Sequence, residues 1–311
     1  MNSDTNKDAD FDAQLEQTLL ETELQVKSIE QVAGAPSVEQ TWSAARRFVE
    51  EFKPVPFFIW RLSNFVLGQP GKINQLSEGL VFGMKKIVLA AARDEFLGSG
   101  RIINKVRDAL YIVPSDIIAA VTVMHAICRR LGSKPFERIW GPILDDAILR
   151  ALVGCMIGEQ DPSFGPGRGM LAGFSSRCGL CILIAQSDLS KAKSSLELLA
   201  TGEDIRSVGM KLFGCDPLQV SAMILSASGC GRDAAHGIAC YSAKYPIAVT
   251  SDNKIQRQWL SAYSICEELR RSNAEAILDE YWEALGFEEE SDRKDIVRSA
   301  KKAVREGHTW D

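Results

Sequence analysis

The chain has 311 residues, 46 % of them hydrophobic, and a net charge of −5, enough apolar material for one large core or two ordinary ones. No stretch reaches the roughly eighteen uninterrupted apolar residues of a membrane span. The acidic start MNSDTNKDAD lacks the basic and apolar regions of a signal peptide. The expectation is therefore a cytoplasmic protein without a membrane partner. In that reducing setting its eight cysteines, which have no framework spacing, serve as small buried hydrophobes rather than disulfides.

Charge is unevenly spread. Residues 1–36 hold eight Asp or Glu against two Lys, a net −6 of the total −5, so the remainder carries about +1. A near-neutral body without a basic stripe argues against DNA as a partner. The pairs Lys85–Lys86, Arg129–Arg130 and Lys301–Lys302 read as solvated helix faces.

In residues 1–36, Phe11, Leu15, Leu19, Leu24, Ile29 and Val32 recur at an imperfect helical spacing ahead of Gly34-Ala35-Pro36. The segment reads as an acidic arm, partly helical or disordered, that either docks elsewhere or lies as a leader helix on its own domain, and its removal is expected to leave folding intact. Ser37 and Gln40 form a capping box for a helix whose buried stripe is Trp42, Ala45, Phe48, Val49 and Phe52. Lys53-Pro54-Val55-Pro56 ends it. VPFFIWRLSNFVLG then gives a helix closed by Gly68, and INQLSEGLVFGMKKIVLAAARDEFLG a longer one with Gly83 inside it. A glycine there costs about 1 kcal/mol against Ala, so close helix packing is expected at that point.

Residues 99–133 give two helices, Ile102–Ile112 and Asp116–Leu131, with Ser115 as N-cap and Gly132 as terminator. The second is too apolar for a solvated hairpin, and it packs either on the domain's own core or on another copy of the chain. Pro142 suits the first turn of the next helix, with Asp145 and Asp146 near the positive end of its dipole. Its run Ala147–Ile157 is apolar almost all round, as a central buried helix would be. A Gly/Pro-rich loop, Gly158–Gly169, leads into GMLAGFSSRCGLCILIA. Further helices follow: Ser190–Ala200 ending at Gly202, one capped by Asp216-Pro217 and closed by Gly229, one capped by Ser251 or Asp252 and running through Arg271, and two ending at Gly286 and Gly307. No alternating strand pattern competes, so the chain is all-α.

GMLAGFSSRCGLCILIA and KLFGCDPLQVSAMILSASGCGRDAAHGIACYS together resemble the HD-related output domain (HDOD) of bacterial signalling proteins, as do VPFFIWRLSNFVLG and the Gly83 helix. The resemblance spans about residues 37–285, so residues 37–311 are expected to form one HD-like helical bundle with the 99–133 hairpin inserted and a helical tail at 287–311. Where the wider HD superfamily places metal-ligating histidines and aspartates, this chain has Pro142, Ser176, Arg177, Pro217, Tyr241 with Ser242, and Glu267. Proline cannot ligate a metal through its side chain, and arginine puts a fixed positive charge where a cation would sit.

The resemblance thus implies no metal, no other cofactor and no enzymatic activity, but a regulatory role exerted by binding another signalling protein. An alternative is a sensor whose vacated cleft takes a nucleotide or other anion through Arg177 and Arg168. Residual phosphohydrolase activity is the least favoured reading. Cys178-Gly-Leu-Cys181 has zinc or redox spacing but no second ligand pair, so it reads as core. Gly165-Pro-Gly-Arg-Gly169 precedes a helix and can cradle an anion, yet fits no nucleotide fingerprint. Arg177, standing in for a ligand, is expected to pair with Glu267 or Asp145 as a permanent counter-charge.

Overall fold

The computed structural model describes residues 11–24, 38–68, 76–242, 253–270 and 274–306, which form helices, turns and loops with no strand among them. Residues 11–24 are helical (α1). There follow α2 (Val38–Phe52), α3 (Phe57–Val66), α4 (Lys85–Arg93), α5 (Val106–Ile112), α6 (Ser115–Leu131), α7 (Glu137–Glu159), α8 (Pro166–Ala185), α9 (Leu189–Ala200), α10 (Ile205–Phe213), α11 (Pro217–Ala227), α12 (Arg232–Ser242), α13 (Lys254–Arg270), α14 (Asp279–Ala284) and α15 (Glu290–Glu306).

The bundle is built round α8, whose residues are nearly all buried, with α7, α11, α6 and α13 packed about it. By length and composition this helix could cross a membrane, but 94 % of its apolar window is enclosed by the protein. Small residues set its closest contact. A Cβ added at Gly154 would come within 2.0 Å of the Gly169 oxygen, and one added at Gly169 within 2.0 Å of the Gly154 oxygen, so α7 and α8 meet backbone to backbone. That approach needs glycine on both helices.

Several expected boundaries move. The long helix through Gly83 is broken: Phe82–Met84 is a 3-10 turn and the α-helix starts at Lys85. A Cβ at Gly83 would touch only the Phe58 ring at 3.9 Å, so no tight helix packing explains that glycine. α7 begins at Glu137, after Phe136 in the left-handed conformation, which leaves Pro142 inside the helix and not in its first turn. The Trp140 indole donating to the Pro135 carbonyl at 2.8 Å holds this early start. The loop expected at 158–169 is short, because α7 runs to Glu159 and α8 opens at Pro166. Ser115 is the first residue of α6 and makes no cap bond; the N-cap is Pro114. The cap expected at Ser251 or Asp252 falls instead on Asn253, whose Oδ1 accepts from the Ile255 and Gln256 amides at 3.0 and 3.2 Å, while Ser37 and Gly307 lie outside the described residues. The expected Asp216 cap is present, and Gln219 completes it as a capping box.

Two segments assigned outside the main match belong to its core. Phe11, Leu15 and Leu19 on α1 are buried, and the Thr22 hydroxyl lies 2.8 Å from that of Ser226 on α11. The Glu23 carboxylate sits 2.8 Å from Arg46 of α2. Burial of Phe11, Leu15 and Leu19 argues against the expectation that residues 1–36 are dispensable for folding; Leu24, by contrast, is 58 % exposed. On α6, the residues Ile117, Ile118, Val121, Val123, Met124 and Ile127 are buried against α8, α3 and α4. That apolar face is used within the chain.

Candidate functional site

Most of the positions that the HDOD resemblance matches to metal ligands lie on or beside α8. Ser176 and Arg177 stand at its middle, Glu267 faces them from α13, and Pro142 lies one turn ahead of Asp146 on α7. Pro217 opens α11, and its carbonyl oxygen would lie 1.9 Å from a Cβ at Gly179, one turn beyond Ser176. Tyr241 is in the last turn of α12, with its side chain outside the described residues.

A closed ring of charges occupies the centre. The Glu267 Oε1 atom accepts from Arg150 Nη1 at 2.6 Å and from Arg177 Nη1 at 2.9 Å. The Asp146 Oδ2 atom lies 2.9 Å from Arg150 Nε and 3.2 Å from Arg177 Nε. Each carboxylate thus bridges both guanidiniums, and the four formal charges cancel. Side-chain exposure falls from 21 % at Asp146 and 14 % at Arg177 to 3 % at Arg150 and 2 % at Glu267. Burial works against the charge on Arg150, but Glu267 and Asp146 outweigh it and hold the guanidinium's pKa above its ordinary value.

Glycine again makes the geometry possible. A Cβ at Gly173 would come within 2.1 Å of the Arg150 oxygen, so α7 rests directly on α8 where Arg150 emerges toward Arg177. Beside the ring, the Ser221 hydroxyl of α11 donates to the Ser175 carbonyl at 2.6 Å and accepts from the Gly179 amide at 3.0 Å. It wedges into the hydrogen-bond ladder of α8, a recognised way to bend a helix. Ser176 is buried, and its hydroxyl has no hydrogen-bond partner.

The sequence pointed to Glu267 or Asp145 as partner of Arg177. Glu267 is the partner found; Asp145 is exposed, and its neighbour Asp146 takes the second place. Arg150 was missed. Its signal was available: a lone arginine in an apolar run, four residues after Asp146, is rarely buried unpaired.

The donor set does not fit a divalent cation. Proline and arginine offer no ligand atom, and the two guanidiniums already supply the two positive charges such an ion would bring. Arg168, the other expected anion contact, is buried and turned to main-chain oxygens, with Nη1 donating to Phe164 at 2.6 Å, Nε to Leu67 at 3.1 Å and Nη2 to Val66 at 3.4 Å. The amide cradle opening α8 is filled from within the chain, Gly167 donating to the Asp116 carboxylate at 2.8 Å. Cys178 and Cys181 are buried, which pushes both thiols well above their ordinary range and favours packing over thiolate chemistry.

Comparison of the fold with solved structures gives three strong matches. An HDOD domain protein of unknown function from Geobacter sulfurreducens superposes with a TM-score of 0.62 at 17 % identity, covering 87 % of this chain and 97 % of that one. The chain has the HDOD fold. A candidate signal transduction protein from Marinobacter aquaeolei VT8 matches the HDOD-fold chain with a TM-score of 0.61 at 16 % identity, over 86 % of this chain and 64 % of that one. A candidate phosphohydrolase from Shewanella amazonensis SB2B matches with a TM-score of 0.58 at 15 % identity, over 85 % and 95 %. No family model matches the sequence, and no curated protein does.

Proposed function

We propose that this HDOD-fold chain is a cytoplasmic, non-catalytic regulatory protein of bacterial signal transduction that acts by binding another protein. One observation carries the reading: the position where a metal-dependent relative would gather its ion holds a neutral ring of Arg150, Glu267, Arg177 and Asp146. A cation entering that ring would find both carboxylates already held by fixed guanidiniums, which it would have to displace from a buried setting. The fold shared with proteins described as an HDOD domain protein and a signal transduction candidate agrees with it. A nucleotide sensor in the same cleft is less favoured, because Arg168 and Arg177 already hold internal oxygens.

The test has two arms. Elemental analysis of the purified protein, and hydrolysis of bis(p-nitrophenyl) phosphate and of cyclic dinucleotides with added Mn²⁺ or Fe²⁺, should show no bound metal and no turnover. Stoichiometric metal together with hydrolysis, both lost in Glu267→Gln, would overturn the non-catalytic reading. In-cell cross-linking with mass spectrometry should join a defined surface of the chain to a signalling protein. Cross-links to no protein at all would overturn the interaction reading.

A further inference from the structure

A cleft of about 810 Å³ opens between α3, the start of α4 and the end of α6, remote in sequence from the charge ring. Its floor is apolar, with Ile59, Met84 and Ile87, and two aromatic rings stand at it in solvent, Phe58 at 51 % and Phe82 at 83 % exposure. Its rim is basic. Lys85, Lys86, Arg129, Arg130 and Lys134 all line it, and among the described residues no Asp or Glu does. Among the described residues none of these five cations is in an ion pair with a carboxylate. The pairs Lys85–Lys86 and Arg129–Arg130, forty-odd residues apart in the chain, read as separate solvated faces in sequence. The fold puts them on one cleft. An adjoining hollow that shares Phe82 and Lys85 sets Glu78 and Asp108 against Lys85, Lys105 and Arg107, so positive charge is far less in excess there than in this cleft.

Helix stability does not account for the arrangement. Arg129 and Arg130 occupy the last turn of α6, where cations suit the helix dipole. Lys85 and Lys86 open α4, where positive charge works against it. The chain therefore keeps together five cations, unpaired among the described residues, and two solvent-exposed phenylalanines at some cost to local stability. Such a combination marks a binding surface.

We propose that this cleft is the docking site for an acidic peptide segment of a partner protein, its carboxylates on the Lys/Arg rim and its apolar side chains between Phe58 and Phe82. The proposal rests on the reading of the chain as an interaction protein and names the surface used. Charge complementarity selects an acidic occupant. Concavity disfavours a flat lipid surface.

The experiment is a display selection of random peptides of about twelve residues, long enough to present anchors at i, i+4 and i+7, against the immobilised full-length chain. Enriched peptides should carry an excess of Asp and Glu around two or three large apolar residues. By fluorescence anisotropy, Lys85→Glu with Lys86→Glu, Arg129→Glu with Arg130→Glu, and Phe82→Ser should each weaken the best peptide about tenfold or more, as expected for several lost contacts at an exposed site. Higher salt should weaken the wild-type interaction. Melting temperature serves as the folding control and should stay unchanged, since all the altered side chains are exposed.

Neutral or basic winners, no enrichment, or acidic peptides indifferent to these substitutions would overturn the proposal. Tighter cleft-dependent binding of phosphatidylserine vesicles or of an oligo(dT) strand would also overturn it, in favour of a lipid or nucleic-acid surface. Concentration-dependent dimerisation abolished by the charge reversals would assign the cleft to a second copy instead. If the cleft fails while cellular cross-links persist on another face, the regulatory reading stands and only its location is lost. If the chain instead proves to be a metal hydrolase, peptide binding remains an independent measurement.

Discussion

Glu267→Gln is the sharpest perturbation of the charge ring. It removes the carboxylate shared by Arg150 and Arg177 while keeping the side chain's shape, and it leaves Arg150, only 3 % exposed, with Asp146 as its remaining carboxylate in the ring. Breaking a buried pair in this way costs about 3–5 kcal/mol, a large part of the roughly 5–15 kcal/mol that holds a typical domain folded. At about 2.1 cal/mol/K per residue, unfolding 311 residues carries about 0.65 kcal/mol/K of entropy, so the melting temperature should fall by about 5–8 °C. Arg177→Ala should cost less, about 1–3 kcal/mol, because that side chain is 14 % exposed.

Urea unfolding is the assay of choice, since guanidinium chloride would screen the ion pairs being measured. In a double-mutant cycle, Arg177→Ala combined with Glu267→Gln should be less destabilised than the sum of the two by about 1 kcal/mol or more. Arg150→Met with Glu267→Leu should recover much of the loss of either change alone, because well-packed apolar residues can replace a buried ion pair. Asp145→Asn, at the exposed neighbouring position, should lie within about 0.5 kcal/mol of wild type. Additivity within about 0.5 kcal/mol for Arg177 and Glu267, or an effect at Asp145 as large as at Glu267, would refute the ring as the stabilising element.

Three further outcomes follow from the packing. Leu19→Ala should destabilise the fold by about 2–5 kcal/mol in urea unfolding, because Leu19 is fully buried, whereas Leu24→Ala should be nearly silent. Gly173→Ala should lower the melting temperature and shrink the Arg177–Glu267 coupling energy, since its methyl group would push α7 away through the Arg150 carbonyl. Burial lowers the His236 pKa below its usual 6.5, with the neighbouring Gln256 and Asp233 opposing. The unfolded chain then takes up the proton more readily than the folded one, so the neutral imidazole's contribution is complete above about pH 6.5 and is lost as pH falls through the folded-state value. His236→Gln should flatten stability against pH between about 7 and 5, and an unchanged profile would remove His236 as its source.

Sequence alone determined the helical frame and the residues at the positions that the HDOD resemblance matches to metal ligands. Helix periodicity, Pro and Gly punctuation and the Asp216 capping box are local, so α2, α9 and α11 could be placed from neighbouring residues in the chain. The arginine at 177 was legible as a counter-charge because its chemistry is permanent and independent of context. What it pairs with was only half legible. Asp145 and Asp146 differ by one step along the chain but by about 100° around the helix, and only the rotation of α7 against α8 decides which faces Arg177. Arg150 joins the ring because glycines let those helices touch at the backbone. The leader helix and the basic cleft are tertiary in the same sense. Leu15 and Leu19 become core, and a lysine pair and an arginine pair become one surface, only when distant helices pack, since burial and field depend on neighbours in space.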